Sequence, residues 1–205
     1  MDAYDIVDWR RRTFALYAAV RAEPDPEQAH ARWRQERDEM FAHHAASPIP
    51  VVERAGFGGL EVAAYDGAWR FEVDVEPAEP QEWDVHSGTD GVVPFERLGV
   101  VRLPGVGSLD VWRLGSYAGG IFVPMRDAGC GRPGGAYGGG RYVLDTVKGA
   151  DLGGDGGRLV LDLNFAYAPS CAHDPAWACP LPAPGNRVDV AVPVGELARS
   201  GTVSA

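Results

Sequence analysis

Five prolines interrupt the segment 168–186, and they limit what this part of the chain can fold into. Each proline fixes φ and removes a backbone donor, so neither a helix interior nor a central strand can hold them at this density. We therefore predict an ordered loop, which is where a rigid scaffold commonly carries functional side chains. This loop and the stretch before it hold a dense polar set: Asp162, Asn164, Tyr167, Cys171, His173, Asp174 and Cys179.

The composition predicts a cytoplasmic globular protein, and we expect residues 1–205 to form a single domain. No apolar run approaches the ~20 residues of a transmembrane helix, and the N-terminus lacks the apolar stretch of a secretory signal. We therefore expect no membrane partner. A formal net charge of −10 argues against a nucleic-acid partner, because phosphate contacts need a basic surface. The sequence is compatible with a homodimer.

The chain has three cysteines, Cys130, Cys171 and Cys179, which is too few for the disulfide framework of a secreted protein. We expect reduced thiols. A bridge between Cys171 and Cys179 is sterically conceivable across a short proline-rich loop. A cytosolic redox environment would keep that bridge open unless it were functional.

The N-terminal part, residues 1–46, is predicted to form a helical hairpin. Apolar side chains recur at helical spacing over residues 6–21, with Asp5 as the candidate cap. A second helix of about four turns is expected after Asp25, because Pro26 then occupies the first helical position, where proline is favoured.

Residues 47–205 change to the alternation that is typical of strands. Strands are predicted over residues 59–66, 69–75, 95–103, 109–115, 120–125, 141–146, 158–164 and 188–193. Asp66 and Gly67 favour a tight hairpin turn between the first two. No segment between them is long enough for a crossover helix, so we expect mainly antiparallel pairing. The predicted fold class is α+β, a helical hairpin followed by an antiparallel β-barrel or strongly bent sheet, with a sandwich as the nearest alternative.

A glycine-rich loop spans residues 129–140. It lacks the following helix that phosphate-binding loops require, so we interpret it as a flexible flap or a bulged hairpin. Arg126 and Arg141 flank it, and a planar guanidinium beside bare backbone suits bidentate capture of a carboxylate or phosphate. Surface ion pairs with neighbouring aspartates are the alternative. We assign both arginines and Tyr137 to substrate binding.

Asp162 and Asn164 share one face of the predicted strand 158–164, because side chains alternate along a strand, and Tyr167 follows within reach. That face meets either solvent or a barrel lumen, and the lumen is preferred because the same polar set continues into the loop. Asp162 would then titrate in a partly desolvated site opposite Arg126 or Arg141. A carboxylate that caps loop amides is the alternative.

The spacing of Cys171, His173 and Cys179 differs from that of zinc sites, so no metal is expected. A nucleophile pair of Cys130 or Cys171 with His173 is a candidate. Buried inert thiols and a solvent-facing histidine are the alternatives. Trp177 is a candidate floor for a ligand pocket, although tryptophan is more often a core residue.

Four stretches together form a long and unusual pattern: residues 124–128, 136–145, 162–167, and 171–186 with its two cysteines. In these stretches the chain resembles the bacterial and archaeal family called domain of unknown function 1684. The resemblance implies a shared fold and a shared C-terminal loop, and it carries no established activity. The chain departs from the family pattern at Ala168, His173, Asp174 and Gly185, and Cys130 stands where the family has serine. These departures indicate either acquired chemistry or a lost hydrogen-bond network.

Together these residues predict an enzyme of small-molecule metabolism, without an organic cofactor, acting on a carboxylate- or phosphate-bearing substrate. The reaction is expected to be an isomerisation, elimination, cyclisation or hydrolysis, with the glycine-rich loop as a lid. The candidate catalytic residues are Asp162, Tyr167, His173 and Cys130. The candidate substrate-binding residues are Arg126, Arg141, Tyr137, Asn164 and Trp177. The alternatives are a non-catalytic small-molecule binding module and a structural protein whose C-terminal loop only closes the barrel.

Overall fold

A computed structural model describes residues 1–87, 91–117 and 119–199. Helix α1 spans Ala3–Ala22 and α2 spans Pro26–His43, which confirms the two predicted helices. No helix among the described residues is long and apolar enough to cross a membrane. The C-terminal end of the predicted domain, residues 200–205, lies outside the described residues.

Carboxylate caps set the starts of both helices. Asp2 accepts hydrogen bonds from the amides of Tyr4 at 2.8 Å and Asp5 at 2.9 Å, and Asp5 accepts from the Asp2 amide in return. The prediction of Asp5 as the cap was therefore wrong, because Asp5 instead completes a capping box. The predicted cap of α2 is confirmed, since Asp25 accepts from the Glu27 amide at 3.0 Å. Such a cap stabilises a helix by about 1 kcal/mol.

The helical hairpin is fixed to the rest of the fold through Trp33. This side chain is fully buried, and its indole nitrogen donates to the Tyr17 hydroxyl of α1 at 3.1 Å. Its ring meets that of Phe165 edge-on, with 5.4 Å between centroids. A buried aromatic pair of this geometry is stabilising beyond the apolar area it covers.

Within the described residues, seven strands follow the helices: β1 Arg70–Asp74, β2 Glu82–Ser87, β3 Gly91–Leu103, β4 Gly107–Leu114, β5 Ile121–Met125, β6 Arg141–Asp145 and β7 Arg158–Asp162. Strands β2 to β6 form a five-stranded antiparallel meander, and β1 pairs with β7 in a separate two-stranded sheet. The α+β class and the antiparallel pairing are therefore confirmed.

Three details of the strand prediction were wrong. Residues 59–66 contribute a single bridge, at Val62, residues 188–193 form no strand, and β2 was missed. The hairpin at Asp66 does not form either, because the Asn164 side chain holds both the amide and the carbonyl of Asp66 in a tertiary contact. The chain turns there in a short 3-10 helix, and β1 pairs with the distant β7.

No sheet closes on itself among the described residues, so the predicted barrel is not confirmed. Two isolated bridges connect the small sheet to the large one. Glu76, just after β1, pairs with Val100 of β3, and Tyr142 of β6 pairs with Tyr167, just after β7. The main apolar cluster draws on strands β3 to β7 and on the C-terminal segment, and each leucine fully buried in it contributes roughly 2 kcal/mol.

Gly99 is required where the two sheets meet. Strand β3 has an irregular register between Arg97 and Gly99, and a β-carbon on Gly99 would lie 2.3 Å from the Glu76 carbonyl oxygen. We expect Gly99→Ala to push the sheets apart and to lower the free energy of unfolding in urea by about 1–3 kcal/mol. Gly58→Ala is the control, because an added β-carbon there meets nothing within 4 Å. Equal unfolding midpoints for the two variants would contradict this account.

Candidate functional site

Asp162 and Asn164 are fully buried at the end of β7, where they hold the chain together. Asp162 Oδ1 accepts from the Asn164 amide at 3.0 Å and from its side-chain nitrogen at 2.7 Å, and so caps a 3-10 turn over Leu163–Phe165. The Asn164 side chain also bonds the amide and the carbonyl of Asp66, both at 2.9 Å. This geometry supports the capping alternative for Asp162.

The cation beside Asp162 is Arg70, where we predicted Arg126 or Arg141. Asp162 Oδ2 lies 3.8 Å from Arg70 Nη1 and 3.4 Å from the Tyr65 hydroxyl. Burial raises the pKa of Asp162 above its usual value, and the hydrogen bonds from Asn164 and the charge of Arg70 oppose that rise only in part.

Arg141 is fully buried and fastens the C-terminal segment, where we predicted an anion clamp. Its Nη2 donates to Asp127 Oδ2 at 2.7 Å and to the Val192 carbonyl at 3.0 Å. Its Nη1 donates to the carbonyls of Val194 and Glu196. Burial alone would raise the pKa of Asp127, but Arg141 and two backbone amides hold it below its usual value. Both terminal nitrogens of Arg141 are thus occupied by the protein.

Cys130 contacts the buried ion pair of Arg141 and Asp127. Its thiol donates to Asp127 Oδ2 at 3.2 Å. Burial, together with the neighbouring carboxylate, raises the pKa of Cys130 to about 11. A nucleophile must be ionised, so the structure does not support the catalytic role that we predicted for Cys130.

His173 is buried under α2, so the solvent-facing alternative was wrong. Its side chain is 3% exposed, and its ring meets that of Phe41 edge-on. Nε2 lies 3.3 Å from Glu196 Oε1, yet neither ring nitrogen has a hydrogen bond within the described residues. Glu196 Oε2 accepts from Arg37 at 2.5 Å and from the Ala168 amide at 3.2 Å.

Tyr167 lies next to the buried group of Arg37, Glu196 and His173. The guanidinium carbon of Arg37 is 5.1 Å from the centre of the Tyr167 ring. Sequence reasoning missed both Arg37 and Glu196. A signal for Arg37 was present, since it lies between Trp33 and Phe41 on the apolar face of α2, and its guanidinium contacts both rings. Glu196 had no such signal, because it reaches the loop only through the tertiary fold.

The glycine-rich loop and the proline-rich loop lie against each other. A β-carbon on Gly140 would lie 2.8 Å from the Pro182 ring, so the bare backbone lets the loops approach closely. The Tyr142 hydroxyl donates to the Pro180 carbonyl at 2.8 Å. On the glycine side, Arg126 Nε donates to the Gly138 carbonyl at 2.9 Å. The two loops that the sequence singled out therefore form one surface.

At this surface lie the thiols of Cys171 and Cys179, which are unbridged and partly exposed. The side chains of Cys171 and Cys179 interact electrostatically with each other, Tyr137 interacts with Cys171, and Tyr142 interacts with Cys179. We call these four side chains the thiol cluster. Sequence reasoning considered Cys179 as a disulfide partner of Cys171 and gave it no catalytic or binding role.

Within the thiol cluster, the pKa values of the two cysteines shift in opposite directions. The interaction with Cys171 lowers the pKa of Cys179 to about 6, against the effect of burial, and the charge of Lys148 adds to the lowering. The same interaction, together with burial, raises the pKa of Cys171. This interaction therefore favours the thiolate form at Cys179 and the thiol form at Cys171.

Two open grooves lie elsewhere on the surface. One of about 540 Å³ runs between α2 and residues 57–59, and one of about 480 Å³ lies at the turn between β3 and β4. None of the predicted site residues lines either groove.

Trp177 is half-buried in the proline-rich loop, in the turn after Asp174. In the part of the chain that the structure describes, no three His, Cys, Asp or Glu side chains are placed to hold a metal ion.

Residues 55–197 match the model of a family described as "Protein of unknown function (DUF1684)", which is more than half of the chain. A solved structure is also similar to the chain, the solution NMR structure of the uncharacterized protein from gene locus rrnAC0354 of Haloarcula marismortui. It is 33% identical over 85% of this chain and 95% of its own, with a TM-score of 0.59. No curated protein matches the chain.

Replacing Asp162 tests its capping role. Asp162→Ala leaves the Asn164 amide and side chain without their buried acceptor, so we expect the free energy of unfolding to fall by about 2–3 kcal/mol. Asp162→Asn should cost less, because its amide oxygen still accepts. Asp74→Ala, which removes an exposed carboxylate from β1, is the control for urea unfolding. An Asp162→Ala protein as stable as the control would refute the capping role.

Replacing His173 tests its contact with Glu196. His173→Phe keeps the edge contact with Phe41 but removes the imidazole nitrogen that lies 3.3 Å from the buried Glu196 carboxylate, so stability should fall by about 1–3 kcal/mol. Differential scanning calorimetry of His173→Phe and of the exposed control His43→Phe measures the difference. A melting temperature of His173→Phe at or above that of the control would show instead that Glu196 does not depend on the imidazole.

Proposed function

The chain belongs to the DUF1684 family, and we propose that it is a cytoplasmic enzyme of small-molecule metabolism whose reactive group is the Cys179 sulfur. It acts without an organic cofactor on a substrate that carries a carboxylate or phosphate. The observation that supports this proposal is that Cys171 and Cys179 are unbridged and partly exposed in the proline-rich loop, where it packs against the glycine-rich loop. Thiols of this kind stay reduced in the cytoplasm.

Covalent hydrolysis is the reaction that suits a thiolate best among those expected from the sequence. Cys179 Sγ adds to the carbonyl carbon of the substrate, the leaving group departs with a proton, and water then cleaves the thioester. The interaction with Cys171 supports this step, because it lowers the pKa of Cys179. Asp162 and Arg141 take no part in the proposed step, because both are engaged inside the protein.

Two cations on either side of the thiol cluster support an anionic substrate. Arg126 is held by the Gly138 carbonyl, next to Tyr137 of the cluster, and no ion pair of Arg126 occurs among the described residues. Lys148 is half exposed and lies 3.7 Å from the Asp145 carboxylate, and its Nζ is 5.6 Å from the centre of the Tyr142 ring. In a chain with a net charge of −10, two cations beside a thiolate favour the approach of a carboxylate or phosphate.

A structural role for the C-terminal loop is the second candidate. This candidate is favoured because the predicted site residues already make hydrogen bonds within the protein. Asp162, Asn164 and Arg141 each bond backbone or side-chain groups of the protein itself. The two candidates differ in what they predict for Cys179, because a purely structural loop needs neither an ionised thiol nor a ligand.

The pH dependence of alkylation tests the ionisation of Cys179. With iodoacetamide and mass mapping, Cys179 should react first, with a midpoint at pH about 6, because Cys171, Lys148 and Tyr142 favour its thiolate. Cys171→Ala removes the largest of these effects and should raise the midpoint. Cys130→Ala should leave it unchanged. Equal alkylation of Cys171 and Cys179 at neutral pH would contradict the assignment.

Protection from alkylation tests the anionic substrate. Inorganic phosphate or succinate should slow alkylation of Cys179 compared with chloride at equal ionic strength. Arg126→Gln should abolish this protection, whereas Arg132→Gln, in the same glycine-rich loop and exposed, should retain it. No protection by either anion would count against the enzyme and leave the structural candidate.

A further inference from the structure

We propose that Arg126 and Arg187 together bind a phosphate group, which makes the substrate of the proposed enzyme a phosphate-bearing molecule. The inference rests on the proposed function for the identity of that substrate, whereas the binding pair itself rests on the geometry of the two arginines. The observation behind it is that the backbone holds these two cations side by side, and neither has an ion pair with any described residue.

A short parallel ladder places the two arginines next to each other. The Arg126 amide donates to the Asn186 carbonyl at 2.9 Å, and the Val188 amide donates to the Arg126 carbonyl at 3.0 Å. Arg126 is thereby the bridge partner of Arg187, and neighbouring strands lie about 4.8 Å apart. The next residues along each chain, Met125 and Val188, belong to the main apolar cluster. Since side chains alternate, both arginines extend away from that cluster, on the same side of the ladder.

Each guanidinium keeps nitrogens available for a ligand. Arg126 is half-buried, and its Nε donates to the Gly138 carbonyl at 2.9 Å, which fixes the direction of the side chain. In the part of the chain that the structure describes, the two terminal nitrogens of Arg126 have no acceptor. Arg187 is exposed, and over the same residues its guanidinium has no acceptor either.

The pairing of two like charges calls for an anion. Like charges directly opposite each other on neighbouring strands are destabilising. The chain has 29 acidic against 19 basic residues, so carboxylates that could neutralise an arginine are plentiful. Two other arginines with low exposure do have such a partner, since Arg141 pairs with Asp127 and Arg97 with Asp110. An anionic ligand between Arg126 and Arg187 would offset their repulsion.

The number of acceptor oxygens favours phosphate over a single carboxylate. A carboxylate has two oxygens, which match the fork of one guanidinium. A phosphate monoester carries close to two negative charges at neutral pH and three acceptor oxygens, so it can bond both guanidiniums at once. Gly138, which holds Arg126, directly follows Tyr137 of the thiol cluster. A phosphate bound by the arginine pair therefore lies on the cluster side of the glycine-rich loop.

Isothermal titration calorimetry of the full-length protein with inorganic phosphate tests the pair, at constant ionic strength and at pH about 8, where phosphate is mostly a dianion. Arg187→Gln and Arg126→Gln should each raise the dissociation constant at least about tenfold, because each removes charge-assisted hydrogen bonds. Arg132→Gln removes the same charge from an exposed position in the glycine-rich loop and should stay within about twofold of the parent. Acetate should bind the parent at least about tenfold more weakly than phosphate.

Melting temperatures give a second readout and show that the variants fold. Without phosphate, Arg187→Gln should melt at or above the temperature of the parent, because it removes the repulsion between the two arginines. Phosphate should then raise the melting temperature of the parent more than that of Arg187→Gln, because a ligand stabilises the folded state that it binds.

Equal phosphate affinity of the parent and of Arg187→Gln would overturn the inference, and so would acetate that binds as tightly as phosphate. Phenyl phosphate should bind at least as tightly as inorganic phosphate, and its failure to bind would refute a phosphate-bearing substrate. The proposed function fails separately, if phosphate binds the arginine pair while Cys179 titrates as an ordinary thiol. In the reverse case, phosphate slows alkylation of Cys179 equally in the parent and in Arg187→Gln, which keeps the nucleophile and removes the arginine pair.

Discussion

The buried ion pair between Arg141 and Asp127 is the interaction on which the rest of the site depends. Both side chains are 0% exposed, and breaking such a pair by removing one partner typically costs about 3–5 kcal/mol. Asp127 precedes the glycine-rich loop and Arg141 follows it, so the pair closes this loop at its base. The two terminal nitrogens of Arg141 also donate to carbonyls of the C-terminal segment, which ties the loop to the end of the described chain.

The position of the C-terminal segment in turn fixes the proline-rich loop. Glu196 lies in that segment, and its carboxylate meets Arg37 of α2, the Ala168 amide and His173. The loop is therefore held at its start by a buried carboxylate and, directly after Cys179, by Tyr142 through the Pro180 carbonyl. These restraints fix the loop near both cysteines, whose interaction makes the two thiols unequal in acidity.

Local signals in the sequence predicted the two helices, the antiparallel strands and the two loops, because caps, alternation and proline content act over a few residues. Predictions that depended on distant partners were less successful. Asp66 and Gly67 form no hairpin because Asn164 binds the backbone there. Arg141 is not free to bind a ligand because it donates hydrogen bonds to carbonyls that are distant in sequence. Cys179 was given no catalytic role for the same reason, because the neighbours that lower its pKa are brought together only in the folded protein.

The ionisation state of Cys179 is the central claim, and the ultraviolet absorbance of its thiolate measures that state without any reagent. The spectrum of Cys179→Ser, subtracted from that of the parent protein below about pH 7.5, reports this group, because an ordinary thiol is still largely protonated there. The account predicts a step in the difference absorbance centred at pH about 6. A step at or above ~8.5, the value of an unperturbed thiol, would contradict it.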